Sequence, residues 1–411
     1  MNFELFIAKR IIGNKAYKNS VSAPIIKIGI AAIAIGIVVM LIAIATGLGL
    51  QQKIREKVSA FNGHIIIDNY DTNVSDESQI PLSLDQDFYP EFTSVEGIRH
   101  VQGTASKFGV IRTEVNTEGI VIKGVGSDYD WRYFKDFLVE GRLPDFTEKL
   151  NNEILISRYI AKRLEFKVDD KFQVVFADDL QSIPRIIQFK IAGIYNSGFQ
   201  ELDEKFCLVH LGHIQRLNRW KKDEVGNFEV FIDDFSEIEI KGNEVYEYIP
   251  SLMNATTIIQ KYRPVFEWIK IFDNNTSGII AIMILVAGIN MITALLVLIL
   301  ERTQMIGVLK ALGSSNWTIR KVFLYNASYL VGLGLLWGNI IGISLLFIQN
   351  QFGLVKFPNP EQYYISKIPI YISLDYILLL NIGTFIICML MLIVPSVIIS
   401  KISPVKAMRF D

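Results

Sequence analysis

Residues 301–313 read ERTQMIGVLKALG, and the fold turns on what surrounds them. On a helix, Met305, Val308, Leu309 and Leu312 recur at i, i+3, i+4 and i+7 and form one apolar stripe, with Glu301, Arg302, Gln304 and Lys310 mostly outside it. Gly313 can adopt the left-handed conformation that closes such a helix, and Ser314 or Ser315 can cap the next one. The stretch is bounded by apolar runs that contain no Asp, Glu, Lys, Arg or His, 274–300 before it and 322–355 after it. Two more such runs occupy 28–52 and 376–400, and each exceeds the roughly 20 residues that cross a bilayer core as a helix. The spacing therefore predicts a short amphipathic helix at a membrane surface, whose greasy edge either docks a partner or rests on its own neighbours.

Working outward from it gives an α-helical membrane protein with four transmembrane helices and a large α+β extracytoplasmic domain between the first and second. An N-terminal segment, 1–27, carries Phe3, Phe6, Ile7, Ile11 and Ile12 among Lys and Arg, and reads as an amphipathic helix on the inner membrane face. The spans are expected at 28–52, 274–300, 322–349 and 376–400. The domain occupies 53–273, the short cytoplasmic helical segment 301–321, an outer loop 350–375 and the tail 401–411. The first apolar run is too long for a cleaved signal peptide, and no small-x-small site follows it. Lys9, Arg10, Lys15, Lys18 and Lys27, then Arg302, Lys310, Arg320 and Lys321, then Lys401, Lys406 and Arg409 put three segments on the cytoplasmic side, both termini among them.

Half of the 411 residues are apolar (51%), the mean hydropathy is positive and the net charge is -1. No basic arm suggests nucleic acid. Within 53–273 strand signals recur at 64–70, 101–112, 119–125, 171–177, 185–195, 205–211 and 227–233, with a strand-to-helix segment at 152–166, a helix at 213–220 and a last strand at 255–262. The chain leaves and re-enters the membrane at the two ends of this region. The base is therefore expected from both ends, with an inserted middle subdomain at about 104–225.

Chemistry is sparse. No span holds an ionisable side chain, the usual mark of ion coupling. No G-x-x-x-x-G-K-[ST] loop is present, so ATP is not bound by that route. His210 and His213 read as surface residues rather than metal ligands, Cys207 and Cys388 fit no redox spacing, and paired carboxylates sit in turns. No catalytic residue and no metal site is expected. Gly334, Gly338 and Gly342 form a double GxxxG suited to close helix packing, and Asn290, Thr293, Asn326, Asn339, Asn381 and Thr384 can hydrogen-bond between helices.

The segment ERTQMIGVLKALGSSNWTIRKVFLYNA (301–327) resembles the E-[KR]-x-x-x-I-x-x-L-[KR]-A-L-G-x-x-x-x-x-[IV] signature of the FtsX-like permeases, the membrane subunits of mechanotransmission-type ABC transporters. PSVIISKISPVKAMRFD (395–411) is similar to that family's ending, departing from it at Ile399 and Lys406. Within the family, YYISKIPI (363–370) and NFELFIAKR (2–10) resemble the lipoprotein-releasing branch. The resemblance implies a bacterial inner-membrane permease with a periplasmic domain, working with a second permease subunit, the same or homologous. A separate ABC ATPase dimer would bind the ATP and Mg. Its task would be to extract lipoproteins from the outer leaflet and hand them to a periplasmic carrier. On this reading Glu301, Arg302, Met305, Ile306, Val308, Leu309, Lys310, Leu312 and Gly313 couple to the ATPase. Met40, Ile44, Leu48, Ile282, Val286 and Ile289 line the lipoprotein cavity. The hairpin at 178–184, with Asp178, Asp179, Pro184 and the adjoining Arg185, would meet the carrier, although it is short for that role. A MacB-like exporter, an FtsX-like cell-envelope regulator and a receptor without an ATPase are the other readings.

Overall fold

The computed structural model describes residues 3–13, 23–70, 79–113, 116–146, 149–176, 184–356 and 367–403. Its principal helices are α1 (Phe3–Gly13), α2 (Ala23–Asn62), α3 (Leu211–Asn218), α4 (Ile238–Tyr248), α5 (Arg263–Glu301), α6 (Thr303–Ala311), α7 (Asn316–Phe352), α8 (Leu374–Ser396) and α9 (Ile398–Lys401). The chain divides into two compact units: Met1–Gln51 with Trp268–Val355 and Ile368–Asp411, and Gln52–Glu267 with Lys356–Lys367.

In the first unit, α2, α5, α7 and the α8–α9 stretch are the helices among the described residues that are long and apolar enough to cross a membrane. They outrun the apolar runs. Polar residues at the ends continue the hydrogen-bonded ladder, so α5 begins at Arg263 and α7 already at Asn316. The segment expected as one coupling stretch over 301–321 is therefore α6 plus the first turns of α7, and the helical unit takes back residues 268–273 from the expected domain. Ile37, Met40, Leu298, Phe323, Val331 and Leu392 form the shared core. At Gly334 and Gly338 of α7, a Cβ would come within 2.7 Å of the Ile33 and Ile37 Cβ atoms of α2, so only glycine admits this approach, while at Gly342 it would meet the movable Leu41 Cδ1 at 2.8 Å. Asn339 and Asn381 exchange hydrogen bonds of 2.6 and 3.0 Å between α7 and α8. The other expected interhelical donors behave differently. Asn290 and Thr293 bond back to their own helix, while the Asn326 amide and the Thr384 hydroxyl are buried with no hydrogen-bond partner among the described residues. Helix α1 lays Ala8 against Val322 of α7 and leaves Leu5 and Phe6 exposed.

The second unit is built on strands β1 (Ile65–Asn69), β2 (Leu82–Ser83), β3 (Ile98–Arg112), β4 (Thr117–Val125), β5 (Leu138–Gly141), β6 (Glu153–Ser157), β7 (Lys171–Phe176), β8 (Arg185–Tyr195), β9 (Phe206–His210), β10 (Glu224–Val225), β11 (Asn227–Ile232) and β12 (Met253–Thr257). Ten of them form one sheet in the order β12-β1-β11-β3-β4-β9-β6-β8-β5, and β7 pairs with both β3 and β8. The ladder thus closes into a ring of β3, β4, β9, β6, β8 and β7. Strand β3 is long enough to serve both parts: residues 98–104 pair with β11 and 104–112 with β4. The inserted middle expected at about 104–225 shares this one sheet with the base. Strands from both chain ends do form one side, but β3 carries the sheet into the middle without a break. The expected strand 255–262 also stops early, because Thr257 caps a helical turn, Ile258–Lys261, with a reciprocal bond to Gln260.

Candidate functional site

Helix α6 is held by one face and open on the other. Ile306 is fully buried in the helical core, and Met305 and Leu309 pack against it. Val308 (44% exposed) and Leu312 (78%) project away from it, as does Trp317 (55%) in the first turn of α7. The single stripe expected from Met305, Val308, Leu309 and Leu312 is therefore split: at about 100° per residue, Val308 and Leu312 sit on the flank that the core does not reach. Gly313 ends the segment at φ +92, with Ser314 N bonded to Leu309 O at 3.0 Å, and Ser315 caps α7 by accepting from Thr318 N. Glu301 ends α5, and Arg302 is the residue at the joint to α6.

Lys310 does something its spacing did not announce. Its Nζ donates to Ile399 O (2.7 Å), Ile402 O (2.7 Å) and Ser400 O (3.3 Å), and Arg320 donates to the Ser400 hydroxyl. A cation there satisfies the orphan carbonyls at the end of α9 and opposes the negative end of its dipole. Partial burial lowers the Lys310 ammonium below the ordinary lysine range, with the Arg320 charge adding to it. Movement of α6 is thereby tied to the last helix as well as to α5 and α7.

A cavity of about 530 Å³ lies among α2, α5 and α8 within the helical unit. Ile44 and Leu48 line it, but the other four residues expected there do not. Met40 is fully buried in the helical core, and Ile282, Val286 and Ile289 are 62%, 40% and 51% exposed on a different face of α5. The cavity face of α5 is Thr276, Ile280 and Ile284. Residues two apart on a helix point about 200° from each other, so Ile282 turns away from the wall that Ile280 forms. A uniformly apolar helix offers no periodic contrast by which sequence could choose the phase.

In the second unit the end of α2 is gripped by buried polar groups. Lys123, 2% exposed on β4, donates to Phe61 O and to Glu229 Oε1, both at 2.5 Å, and the Tyr129 hydroxyl donates to Ala60 O at 3.0 Å. Glu229, also 2% exposed, accepts from Gln102 (2.8 Å) and Thr104 (3.2 Å). Phe61 stacks edge-on to Phe134 at 5.0 Å and lies 5.8 Å from Tyr195. Gly63, at φ +67, turns the chain out of the helix where a Cβ would meet Glu229 at 2.9 Å. A lone lysine inside the apolar run GIVIKGV was the available signal for this buried pair.

Two surface assignments are corrected. His213 is 5% exposed, with Nε2 2.7 Å from Asn151 O, and burial lowers its pKa; His210 caps α3 by accepting from Gly212 N. Strands β7 and β8 pair from Lys171↔Lys190 to Phe176↔Arg185, and Pro184 is exposed beside them. Arg185 is not held out for a carrier, since its guanidinium donates to Leu217 O (2.7 Å) and Arg216 O (3.2 Å) at the end of α3. Asp178 and Asp179 lie outside the described residues.

Among the described residues, four membrane-length helices, a domain inserted after the first and a partly uncovered helix between the second and third define a multi-pass membrane architecture. The FtsX-like permease C-terminal family matches residues 277–404, and the MacB-like periplasmic core domain family matches 28–239, more than half of the chain. The chain belongs to the FtsX-like permeases that carry a MacB-like periplasmic core domain, and is a multi-pass protein of the inner membrane. It is 21% identical to the lipoprotein-releasing system transmembrane protein LolC of Neisseria meningitidis serogroup B, over 100% of both chains. It is 24% identical to the LolC of Buchnera aphidicola subsp. Schizaphis graminum, over 93% of this chain and 92% of that one. To the macrolide export ATP-binding/permease protein MacB of Haemophilus ducreyi it is 24% identical, over 79% of this chain and 48% of that one.

Proposed function

We propose that this chain is the permease subunit of an ATP-driven transporter that extracts lipoproteins from the outer leaflet of the inner membrane and passes them to a periplasmic carrier. The observation that carries the ATP-driven part is the uncovered apolar edge Val308, Leu312 and Trp317, on a helix whose opposite side is locked into the core. An ABC ATPase dimer, holding ATP and Mg, docks there. Its closure moves α6, and with it α5, α7 and, through Lys310, α9. End-to-end similarity to lipoprotein-releasing permeases supports the substrate. In this reading both termini are cytoplasmic and 53–273 is periplasmic, following the Lys and Arg distribution. A second permease subunit, the same or homologous, faces the exposed residues Ile282, Val286 and Ile289 of α5, and the acyl chains are held between the two. Each CH₂ withdrawn from the bilayer costs about 0.8 kcal/mol, so several chains demand external work and an apolar receiving surface.

Similarity to MacB, and the MacB-like core domain, favour a second reading as an exporter driven by the same type of ATPase. Photo-crosslinkers at Ile282, Val286 and Ile289 separate the two, since labelling by an acylated lipoprotein terminus is expected only for the first. Leu312→Asp tests the docking surface. It leaves the buried face intact, yet a charge desolvated on docking costs several kcal/mol, so ATPase capture should be lost while the chain still inserts. Normal capture with Leu312→Asp would sink the docking assignment.

A further inference from the structure

The cavity among α2, α5 and α8 has a use that the exposed α5 face does not. Its walls include Ile44, Leu48, Ile284 and Leu379, and its polar end is Gln51 and Asp273. From Asp273 to Ile284 is eleven residues of helix, about 16 Å, which matches half of the roughly 30 Å hydrocarbon core of a bilayer. Asp273 directly precedes the uncharged run 274–300, so the polar end stands at the edge of the span and the apolar walls run one leaflet deep. The volume falls within the roughly 300–1,000 Å³ that ligand sites occupy. Gln51, 6% exposed, donates to Oδ1 of Asp273, while Asp273 itself is exposed. Among the described residues that carboxylate makes no other hydrogen bond or ion pair. The amide fixes the carboxylate at the rim without neutralising it.

We propose that this cavity holds an acyl chain of a membrane phospholipid whose headgroup ammonium is taken by Asp273, that is, an aminophospholipid such as phosphatidylethanolamine. Charge complementarity selects the occupant. The rim offers an anion, Asp273, for the ammonium. An anionic lipid such as phosphatidylglycerol carries the phosphate but no ammonium to pair with Asp273. A triacylated lipoprotein terminus, with its amine acylated, has no cation to offer. The lipid wedges α8 away from α2 and α5 and so sets the spacing of the helices that α6 and Lys310 drive.

The test uses the full chain in nanodiscs that contain diazirine-acyl phosphatidylethanolamine or diazirine-acyl phosphatidylglycerol, with labelled residues located by mass spectrometry. Labelling of Ile284 and Leu379 should favour the ethanolamine lipid by about three-fold, the ratio that a partly exposed ion pair supports. Asp273→Asn should abolish the preference but keep the labelling, and Asp273→Glu should retain both. Gly383→Phe, at a cavity-lining glycine with nothing within 4 Å of its would-be Cβ, should fill the site and remove the labelling. Equal labelling by the two lipids means bulk lipid only and overturns the proposal, as does equal labelling at the exposed Leu378 and Ile382 of α8. Stronger labelling of the same residues by a triacylated diazirine lipopeptide would assign the cavity to substrate and overturn it too. None of these outcomes bears on whether α6 docks an ATPase.

Discussion

Lys123→Met removes a buried ammonium that joins the end of α2 to the sheet. In the native chain it donates to Phe61 O and Glu229 Oε1, each at 2.5 Å, with both charged side chains almost fully buried. Methionine fills similar space, so the loss is electrostatic. Glu229 stays behind as a buried carboxylate with only the Gln102 and Thr104 donors, and Phe61 O loses its cap. Removing one partner of a buried pair costs about 3–5 kcal/mol, a large part of the roughly 5–15 kcal/mol that holds a domain folded. At about 2–4 °C per kcal/mol for a domain of this size, the melting temperature should fall by about 6–20 °C. Scanning calorimetry of the full chain in detergent reads this. The double variant Lys123→Met/Glu229→Met should recover most of the loss, because an apolar pair of similar volume replaces a buried ion pair at little cost. A single variant melting within about 2 °C of the parent, or a double variant no better than the single, would refute the reasoning.

Lys310→Met should loosen the last helix: losing charge-assisted bonds worth about 2 kcal/mol would speed amide exchange over 398–403 about 30-fold, with Lys310→Arg retaining most of the protection, and unchanged exchange would remove the proposed tie between α6 and α9. Gly338→Leu drives a Cβ to within 2.7 Å of Ile37 Cβ and should destabilise the helical unit by about 1–3 kcal/mol in a melt, whereas Gly332→Leu, with nothing within 4 Å, should not. Burial raises the Asp203 carboxyl to about 6 and lowers the His64 imidazole to about 4. Between pH 4 and 6 folded Asp203 keeps a proton that the unfolded chain releases, so this carboxyl weakens the fold as pH rises. Over pH 4 to 6.5 His64 acts in the opposite sense, since the unfolded imidazole binds the proton. His64→Asn removes stability that the neutral imidazole adds as pH rises, so the melting temperature of the variant should fall relative to the parent from pH 4 to 6, and a pH-independent difference would refute this; the lowered His213 and His210 act alike in both proteins.

The composition of the chain determined its class. Four uncharged runs can only be spanning helices, because a bilayer leaves no water for unpaired backbone groups. Local patterns likewise showed most strands, the glycine that ends α6 and the serine that caps α7, since each depends on neighbours in sequence. Tertiary structure decided what depends on facing. Leu309 and Leu312 are equally apolar, yet one packs inward and the other is 78% exposed. Ile280 lines a cavity and Ile282 does not, because the phase of an all-apolar helix is set by its partners rather than by its own sequence. The same holds for the basic residues that satisfy carbonyls at helix ends. Lys123, Lys310 and Arg185 lie 62, 89 and 31–32 residues from carbonyls they satisfy, and no local pattern records a hydrogen bond whose two ends meet only after the chain has folded.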